Sequence, residues 1–147
     1  MKLISYLSLV IIFSYSVTNF ASDGVKQKGT LLIKFNGLNS EKGNVIIAVC
    51  NSPENYKDNL SPFIGKTVKI EKNTAVLEID DLSFGEYAVK AFHDEDANND
   101  LNTNFLGIPV ENYGFSNNAR GMFGPPSWND AKFKFNYPNK TIEIEIK

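Results

Sequence analysis

Hydrophobic and polar residues alternate with a period of two along most of this chain. In the first such stretch, Leu31, Ile33 and Phe35 occupy every second position. The same spacing recurs at four further places: Val68 and Ile70; Ala75, Leu77 and Ile79; Phe133 and Phe135; and Ile142, Ile144 and Ile146. Such alternation is typical of strands that turn one face to a core and the other to solvent. The chain is therefore expected to be built mainly from strands.

Two further segments complete the predicted set of strands. Residues 45–50 are apolar on both faces, as expected of a central strand, and residues 86–92 form a mixed strand after a turn at residues 83–85. About seven strands and no amphipathic helix predict an all-β fold, a single antiparallel β-sandwich of immunoglobulin-like or transthyretin-like type. Residues 51–65 are expected to form a loop with room for one short helical turn.

The last predicted strand carries charges on its outer face. Glu143, Glu145 and Lys147 alternate with the isoleucines, and charges of this kind commonly protect the edge of a sheet from pairing with another chain. This pattern favours a monomer.

Residues 93–130 show neither a strand period nor a helix period and contain several glycines and prolines. A connection this long inside a compact domain is usually either functional or disordered. Its five large aromatic residues, Phe105, Tyr113, Phe115, Phe123 and Trp128, are too many for a solvated tail. We therefore expect an ordered, irregular excursion packed on one end of the sandwich.

The first residues of the chain resemble a secretory signal peptide. Lys2 precedes an apolar stretch that ends near Ala21, which predicts a signal peptide over residues 1–21 and a mature domain over residues 22–147. No later segment has the roughly 20 apolar residues that a membrane span requires. The mature protein is expected to be exported, either to the periplasm or outside the cell, and not to span a membrane.

The cysteine content and the net charge limit the covalent cross-links and the partners that this chain can have. Cys50 is the single cysteine, so the chain forms no internal disulfide, and we expect this thiol to be buried and inert. A formal net charge of −2 and a pI near 5.4 give no broad basic surface. Nucleic acid is therefore excluded as a partner.

Oxygen-bearing side chains occupy every second position of residues 94–102. Five residues share this spacing: Asp94, Asp96, Asn98, Asp100 and Asn102. Calcium loops place oxygen ligands at the first, third, fifth, seventh and ninth positions, a glycine at the sixth and a glutamate at the twelfth. Calcium is therefore the predicted cofactor, although magnesium and manganese also accept oxygen ligands.

Two positions depart from that pattern. Asn99 stands at the glycine position, which is tolerable because asparagine adopts left-handed backbone conformations more readily than most residues. Phe105 stands at the glutamate position, so the closing ligand is either absent or supplied by Glu95 or Glu111 if the excursion folds back. The alternative to a metal site is a solvated acidic turn that caps its own backbone. That alternative is costly, because the four carboxylates within residues 94–100 repel one another when no cation lies between them.

His93 is the only histidine and would be the base of a metal-dependent hydrolase that used His93 and Asp94. Its register argues against this role, because Tyr87, Val89 and Ala91 share its face of the strand. We expect its ring to end that apolar row, with one nitrogen bonded to the loop. No serine elbow and no zinc ligand set accompany it, so the prediction is a non-enzymatic protein with no catalytic residues.

The excursion also offers a candidate surface for a glycan or peptide. Its residues are His93, Glu111, Tyr113, Phe115 and Asn117. Aromatic faces flanked by amides and carboxylates suit such ligands. The simpler alternative is that these rings close the open end of the sandwich.

A set of short motifs resembles a known bacterial family. They include Ala91-Phe92-His93-Asp94, residues 105–109, residues 113–118, and Phe123-Gly124-Pro125-Pro126. Together they resemble the secreted family called domain of unknown function 2141 over nearly the whole mature chain. The resemblance implies an exported β-sandwich, similar to transthyretin-like or carboxypeptidase-regulatory-like domains, with no established activity and no catalytic residues. Asn99 and Asp100 stand where that family often has glycine and lysine, and the change adds a carboxylate.

Overall fold

The computed structural model describes residues 27–57 and 61–147. The predicted signal peptide, residues 1–21, lies outside them. Within these ranges, no helix is long and apolar enough to cross a membrane.

Residues 27–57 and 61–147 contain eight strands and three short helical segments. The strands are β1 (Lys28–Asn36), β2 (Asn44–Cys50), β3 (Ile64–Lys69), β4 (Ala75–Ser83), β5 (Gly85–Asp94), β6 (Tyr113–Phe115), β7 (Phe133–Phe135) and β8 (Asn139–Glu145). The helical segments are α1 (Pro53–Lys57), the 3₁₀ turn Ser116–Asn118 and α2 (Trp128–Ala131). The predicted β-rich class is therefore confirmed, and α1 is the short helical turn expected in the loop after β2.

The strands form two sheets. One has three strands in the order β4-β1-β8, and the other has five, in the order β3-β2-β5-β6 with β7 also paired to β5. β8 runs parallel to β1, from Thr30 opposite Asn139 to Asn36 opposite Glu145. The expected purely antiparallel arrangement is therefore wrong for this pair, whereas the expected edge position of β8 is confirmed.

Alternate residues of both sheets meet in one core. Leu31, Ile33 and Phe35 of β1 are fully buried there, as are Val45 and Val49 of β2. The predicted inward face of each strand is thus correct, and two sheets around one core fit a β-sandwich. The immunoglobulin-like or transthyretin-like assignment stays a prediction.

A second apolar cluster lies on the opposite face of β2 and β5. Its buried members are Cys50, Tyr56, Ala88, Phe115 and Ala131, with Tyr113, Ala119 and Trp128 packed against them. Cys50 and Ala88 have the opposite parity to the inward-facing Val49 and Val89, so this cluster covers the outer face of the five-stranded sheet. Part of the excursion thus covers a sheet face, not the end of the sandwich as expected.

Candidate metal centre

The acidic loop begins where β5 ends. Asp94 is the last residue of that strand and is fully buried. Its Oδ1 accepts a hydrogen bond from the Asn98 amide at 3.1 Å, and its Oδ2 accepts one from the Asn99 amide at 3.0 Å. The buried carboxylate therefore folds the following residues back over the end of the strand.

Asp96 is the exposed carboxylate of the same loop. Its Oδ1 accepts from the Asn98 amide at 3.2 Å, and its Oδ2 accepts from the side-chain amides of Asn98 at 3.0 Å and Asn102 at 2.9 Å. The hydrogen bond from Asn102, followed by that from the Asn98 backbone, lowers the pKa of Asp96 despite some opposing loss of hydration. The carboxylate therefore stays ionised in neutral and mildly acidic solution.

Glu111 reaches this loop from the far side of the excursion. Its Oε1 accepts from the Glu95 amide at 3.0 Å, and its Oε2 accepts from the Asn102 amide at 2.9 Å. Carboxylate oxygens of Asp94, Asp96 and Glu111 all lie within 4.8 Å of one another. Three acidic groups from both ends of a long connection thus converge on one small volume.

Two residues of the loop have left-handed backbone conformations. Asn99, at the predicted glycine position, has φ of 68°, and Ala97 has φ of 56°. The expectation that Asn99 adopts the sharp turn is therefore confirmed. Ala97 is less suited to this conformation, since it lacks a side chain that hydrogen-bonds locally.

The side chains of Asn98 and Asn102, two further predicted ligands, form hydrogen bonds within the loop. Asn98 Oδ1 accepts from the Asp100 amide at 2.7 Å, and Asn102 Oδ1 accepts from the Asn98 side-chain amide at 2.9 Å. The exposed Asp100 is not among the three converging carboxylates. Of the two proposed closing residues, Glu111 joins the cluster, whereas Glu95 Oε1 lies 3.7 Å from His93 Nδ1.

His93 is fully buried at the end of β5. Its Nε2 lies 2.8 Å from the Lys42 carbonyl, which can only accept, so Nε2 carries the proton of this bond. Its Nδ1 has no hydrogen-bond partner among the residues that the structure describes. The ring ends the apolar row of β5, as the register predicted, and its bond goes to the β1–β2 turn. This placement gives no support to a role in hydrolysis.

The structure gives most residues of the predicted ligand surface internal contacts. The rings of Tyr113 and Phe115 meet edge to face at 5.8 Å, and Phe115 is buried in the second cluster. The Asn117 side-chain amide donates to the carbonyls of Asp130 at 3.0 Å and Lys132 at 2.9 Å. Arg120 lies over the Tyr113 ring at 5.9 Å.

The other aromatic residues of the excursion differ from one another in how far they are buried. Trp128 packs against Tyr56 with ring centroids 5.8 Å apart, but the side chains of Phe105 and Phe123 are 94% and 97% exposed. The expectation that all these rings pack on the sandwich is therefore wrong for these two.

A shallow pocket of about 400 Å³ lies beside Trp128 and was not foreseen from the sequence. It is lined by Pro53, Tyr56, Lys57, Lys90, Pro125, Pro126, Ser127 and Trp128. These residues come from three separate segments, so no local spacing could reveal it. The pair Pro125-Pro126 beside the single tryptophan was the only local signal.

Comparison with known proteins gives one match. The model of a family described as "Uncharacterized protein conserved in bacteria (DUF2141)" matches residues 33–143, which is most of the chain. No curated protein and no solved structure matches it.

Proposed function

Since the chain belongs to this family of uncharacterised bacterial proteins, we propose its function from the site itself: an exported, non-enzymatic β-sandwich protein that binds calcium in its acidic loop. One observation carries the proposal. The carboxylates of Asp94, Asp96 and Glu111 lie within 4.8 Å of one another, although residues 94–111 contain no lysine or arginine.

Electrostatics favours a cation at this position. Like charges at such separations repel one another, and the repulsion is strongest for a buried group such as Asp94. A divalent ion converts that repulsion into attraction. Calcium accepts six to eight oxygen ligands in flexible geometry, whereas magnesium demands a near-octahedral set at shorter distances. The oxygen-rich loop therefore favours calcium, with Asn98, Asp100, Asn102 and water as further donors.

Glu111 gives the ion a structural consequence. It joins the loop after β5 to the segment that leads into β6, so an ion held by Asp94, Asp96 and Glu111 fixes both ends of residues 95–110. Calcium at a hundred times its dissociation constant adds about 2.7 kcal/mol to the free energy of unfolding. Folding of the excursion and metal binding are then coupled.

Thermal unfolding of the mature protein tests the proposal. We expect millimolar calcium to raise the midpoint by several degrees over the value in EDTA, and millimolar magnesium to raise it less. Asp96→Asn and Glu111→Gln should each abolish most of the calcium effect. Glu143→Gln, an exposed carboxylate on β8, is the matched control and should retain it. Equal midpoints in EDTA and calcium would contradict the proposal.

Export is proposed from the apolar leader at residues 3–17 and the polar boundary after Ala21. Mass spectrometry of the protein recovered from the periplasm or the medium should give a mature chain that begins near Ser22. Recovery of the protein with its leader intact, in the cytosol only, would contradict export.

Binding of a glycan or peptide is the second candidate function, and the pocket beside Trp128 supports it. The pocket combines Tyr56 and Trp128 with Lys57, a set that suits a ring-bearing anionic ligand. Lys90 also lines it, but its ammonium group already donates to the Tyr56 carbonyl at 2.7 Å. A uronic-acid oligosaccharide is the first probe, with Trp128 emission as the readout. Binding that Lys57→Gln weakens and Lys72→Gln leaves unchanged would support this function, and an unchanged emission would oppose it.

A further inference from the structure

Two apolar tips stand out from the surface of the excursion. The first, here called the hairpin tip, is residues 105–110, where Phe105 is 94% exposed, Leu106 67%, Ile108 55% and Val110 64%. The second, here called the glycine turn, is residues 121–124, where Met122 is 89% exposed and Phe123 97%. Single exposed apolar residues are normal, but runs of this kind mark interaction sites.

Both tips project away from the rest of the protein. Apart from the neighbouring residues in the chain, a Cβ atom added at Gly107 or at Gly124 would meet no atom of residues 27–57 and 61–147 within 4 Å. The tips are therefore convex and free on their outer sides. A convex apolar surface is suited to entering another phase or a partner's cavity, not to enclosing a ligand.

Four backbone amides of the hairpin tip donate hydrogen bonds within the hairpin. Asn104 Oδ1 accepts from the amides of Leu106 at 2.9 Å and Ile108 at 3.1 Å, and the Asn104 carbonyl accepts from the Gly107 amide at 2.9 Å. At the base of the hairpin, Val110 donates to the Asn102 carbonyl at 2.9 Å. A backbone paired in this way can enter an apolar medium without leaving these donors unsatisfied, which is the main cost of burying irregular chain in lipid.

The tips also carry no charge. Residues 101–110 and 121–129 contain no Asp, Glu, Lys or Arg. Protein–protein interfaces combine an apolar centre with a polar rim that fixes orientation, and charge-free tips of this length provide little of such a rim. A lipid surface requires only apolar and aromatic side chains with a satisfied backbone.

We propose that the hairpin tip and the glycine turn insert into the surface of a lipid bilayer and hold the protein against it. Zwitterionic phosphatidylcholine is the bilayer that fits, because the exposed carboxylates of Asp96 and Asp100, which precede the hairpin in the chain, disfavour an anionic surface. The inference goes beyond the calcium proposal and stands without it.

Co-sedimentation of the mature protein with phosphatidylcholine vesicles in EDTA tests this inference independently of any bound ion. The wild type sediments with the vesicles. The partition coefficient of the double variant Phe105→Ser/Phe123→Ser onto the vesicles is lower by roughly tenfold or more, because each substitution removes a ring from the apolar surface. Both side chains are exposed, so the variant keeps the thermal midpoint of the wild type. Tyr137→Ser, which removes a 62% exposed ring outside the tips, is the matched control and sediments like the wild type.

Three results would overturn the inference. The first is a wild type that stays in the supernatant, and the second is a double variant that sediments as fully as the wild type. The third is concentration-dependent self-association of the wild type without lipid, absent in the double variant, which would assign the tips to an interface between copies of the chain. Sedimentation velocity without vesicles measures the third.

Discussion

Gly43 shows how one residue outside the acidic loop constrains the candidate metal centre. It has φ of 67°, and a Cβ atom built on it would lie 1.8 Å from the carbonyl oxygen of Asp94. Any side chain here therefore adopts a strained backbone conformation and also pushes against the residue that starts the loop.

Gly43→Ala should lower the free energy of unfolding by about 2 kcal/mol or more, from the left-handed backbone and the backbone clash together. Urea unfolding measures the loss. Gly65→Ala is the matched control. Among the described residues, a Cβ at position 65 meets only the Pro62 side chain, at 3.5 Å, and the backbone there is not left-handed. If Gly43→Ala and Gly65→Ala lowered the free energy of unfolding equally, this account of Gly43 would be contradicted.

The sequence located the residues of the acidic loop better than it located their partners. The spacing of Asp94 and Asp96 predicted a turn that brings oxygen atoms together, and Asn99 adopts the left-handed conformation that this turn requires. Glu111 was only one of two possible closing residues. Its place depends on the hairpin between Asn102 and Val110, which pairs irregular segments that have no hydrophobic period.

At the scale of elements, long alternating strands were predictable and short ones were not. The alternation in β1 and β8 identifies a buried face, but it is the same for parallel and antiparallel neighbours. The sequence therefore could not predict that β8 pairs with β1 in parallel. β6 has three residues and α2 has four. Neither is long enough to complete a recognisable period, and tertiary contacts determine both.

The side chain of Ser116 joins these short elements to the sheet through hydrogen bonds. It is fully buried, and its Oγ accepts from the Val89 amide at 2.8 Å while donating to the Ala131 carbonyl at 2.6 Å. One hydroxyl therefore connects β5, the 3₁₀ turn and the end of α2.

Ser116→Ala should lower the free energy of unfolding by about 1–3 kcal/mol, because it leaves the Val89 amide and the Ala131 carbonyl buried without this partner. Chemical denaturation followed by circular dichroism gives the value. Ser40→Ala is the control: the Ser40 hydroxyl is buried with no hydrogen-bond partner in the described part of the chain, so its removal should be neutral or slightly stabilising. Equal losses for the two variants would show that the Ser116 hydrogen bonds contribute little.

At the scale of the whole molecule, the five-stranded sheet has one face in the main core and part of its other face covered by the second cluster. The main core lies between the sheets, and the second cluster lies under α1, α2 and the 3₁₀ turn. Trp128, the single tryptophan, packs against the second cluster. Its fluorescence therefore reports on that cluster, whereas far-ultraviolet circular dichroism reports chiefly on the strands.

Tyr56 makes the second cluster sensitive to alkaline pH. The ring is buried, and its hydroxyl donates to the Pro126 carbonyl at 3.1 Å. Burial, with smaller contributions from the negative charges of an ionised Cys50 and of Asp130, raises the pKa of Tyr56 to about 12. Because an unfolded tyrosine has a pKa near 10, the folded state holds this proton more tightly. The associated stability is complete below about pH 10 and is lost as the pH rises towards 12.

We therefore expect the free energy of unfolding, followed by Trp128 emission, to fall between pH 10 and pH 12 in the wild type. Tyr56→Phe should be less stable at neutral pH by about 1 kcal/mol, since it loses one hydrogen bond, but its stability should fall less steeply over the alkaline range. The remaining slope includes Tyr87, whose pKa burial also raises. Tyr137→Phe, at an exposed ring, is the control and should follow the wild type. If Tyr56→Phe and Tyr137→Phe showed the same alkaline slope, the buried phenol would not be the group that links pH to the second cluster.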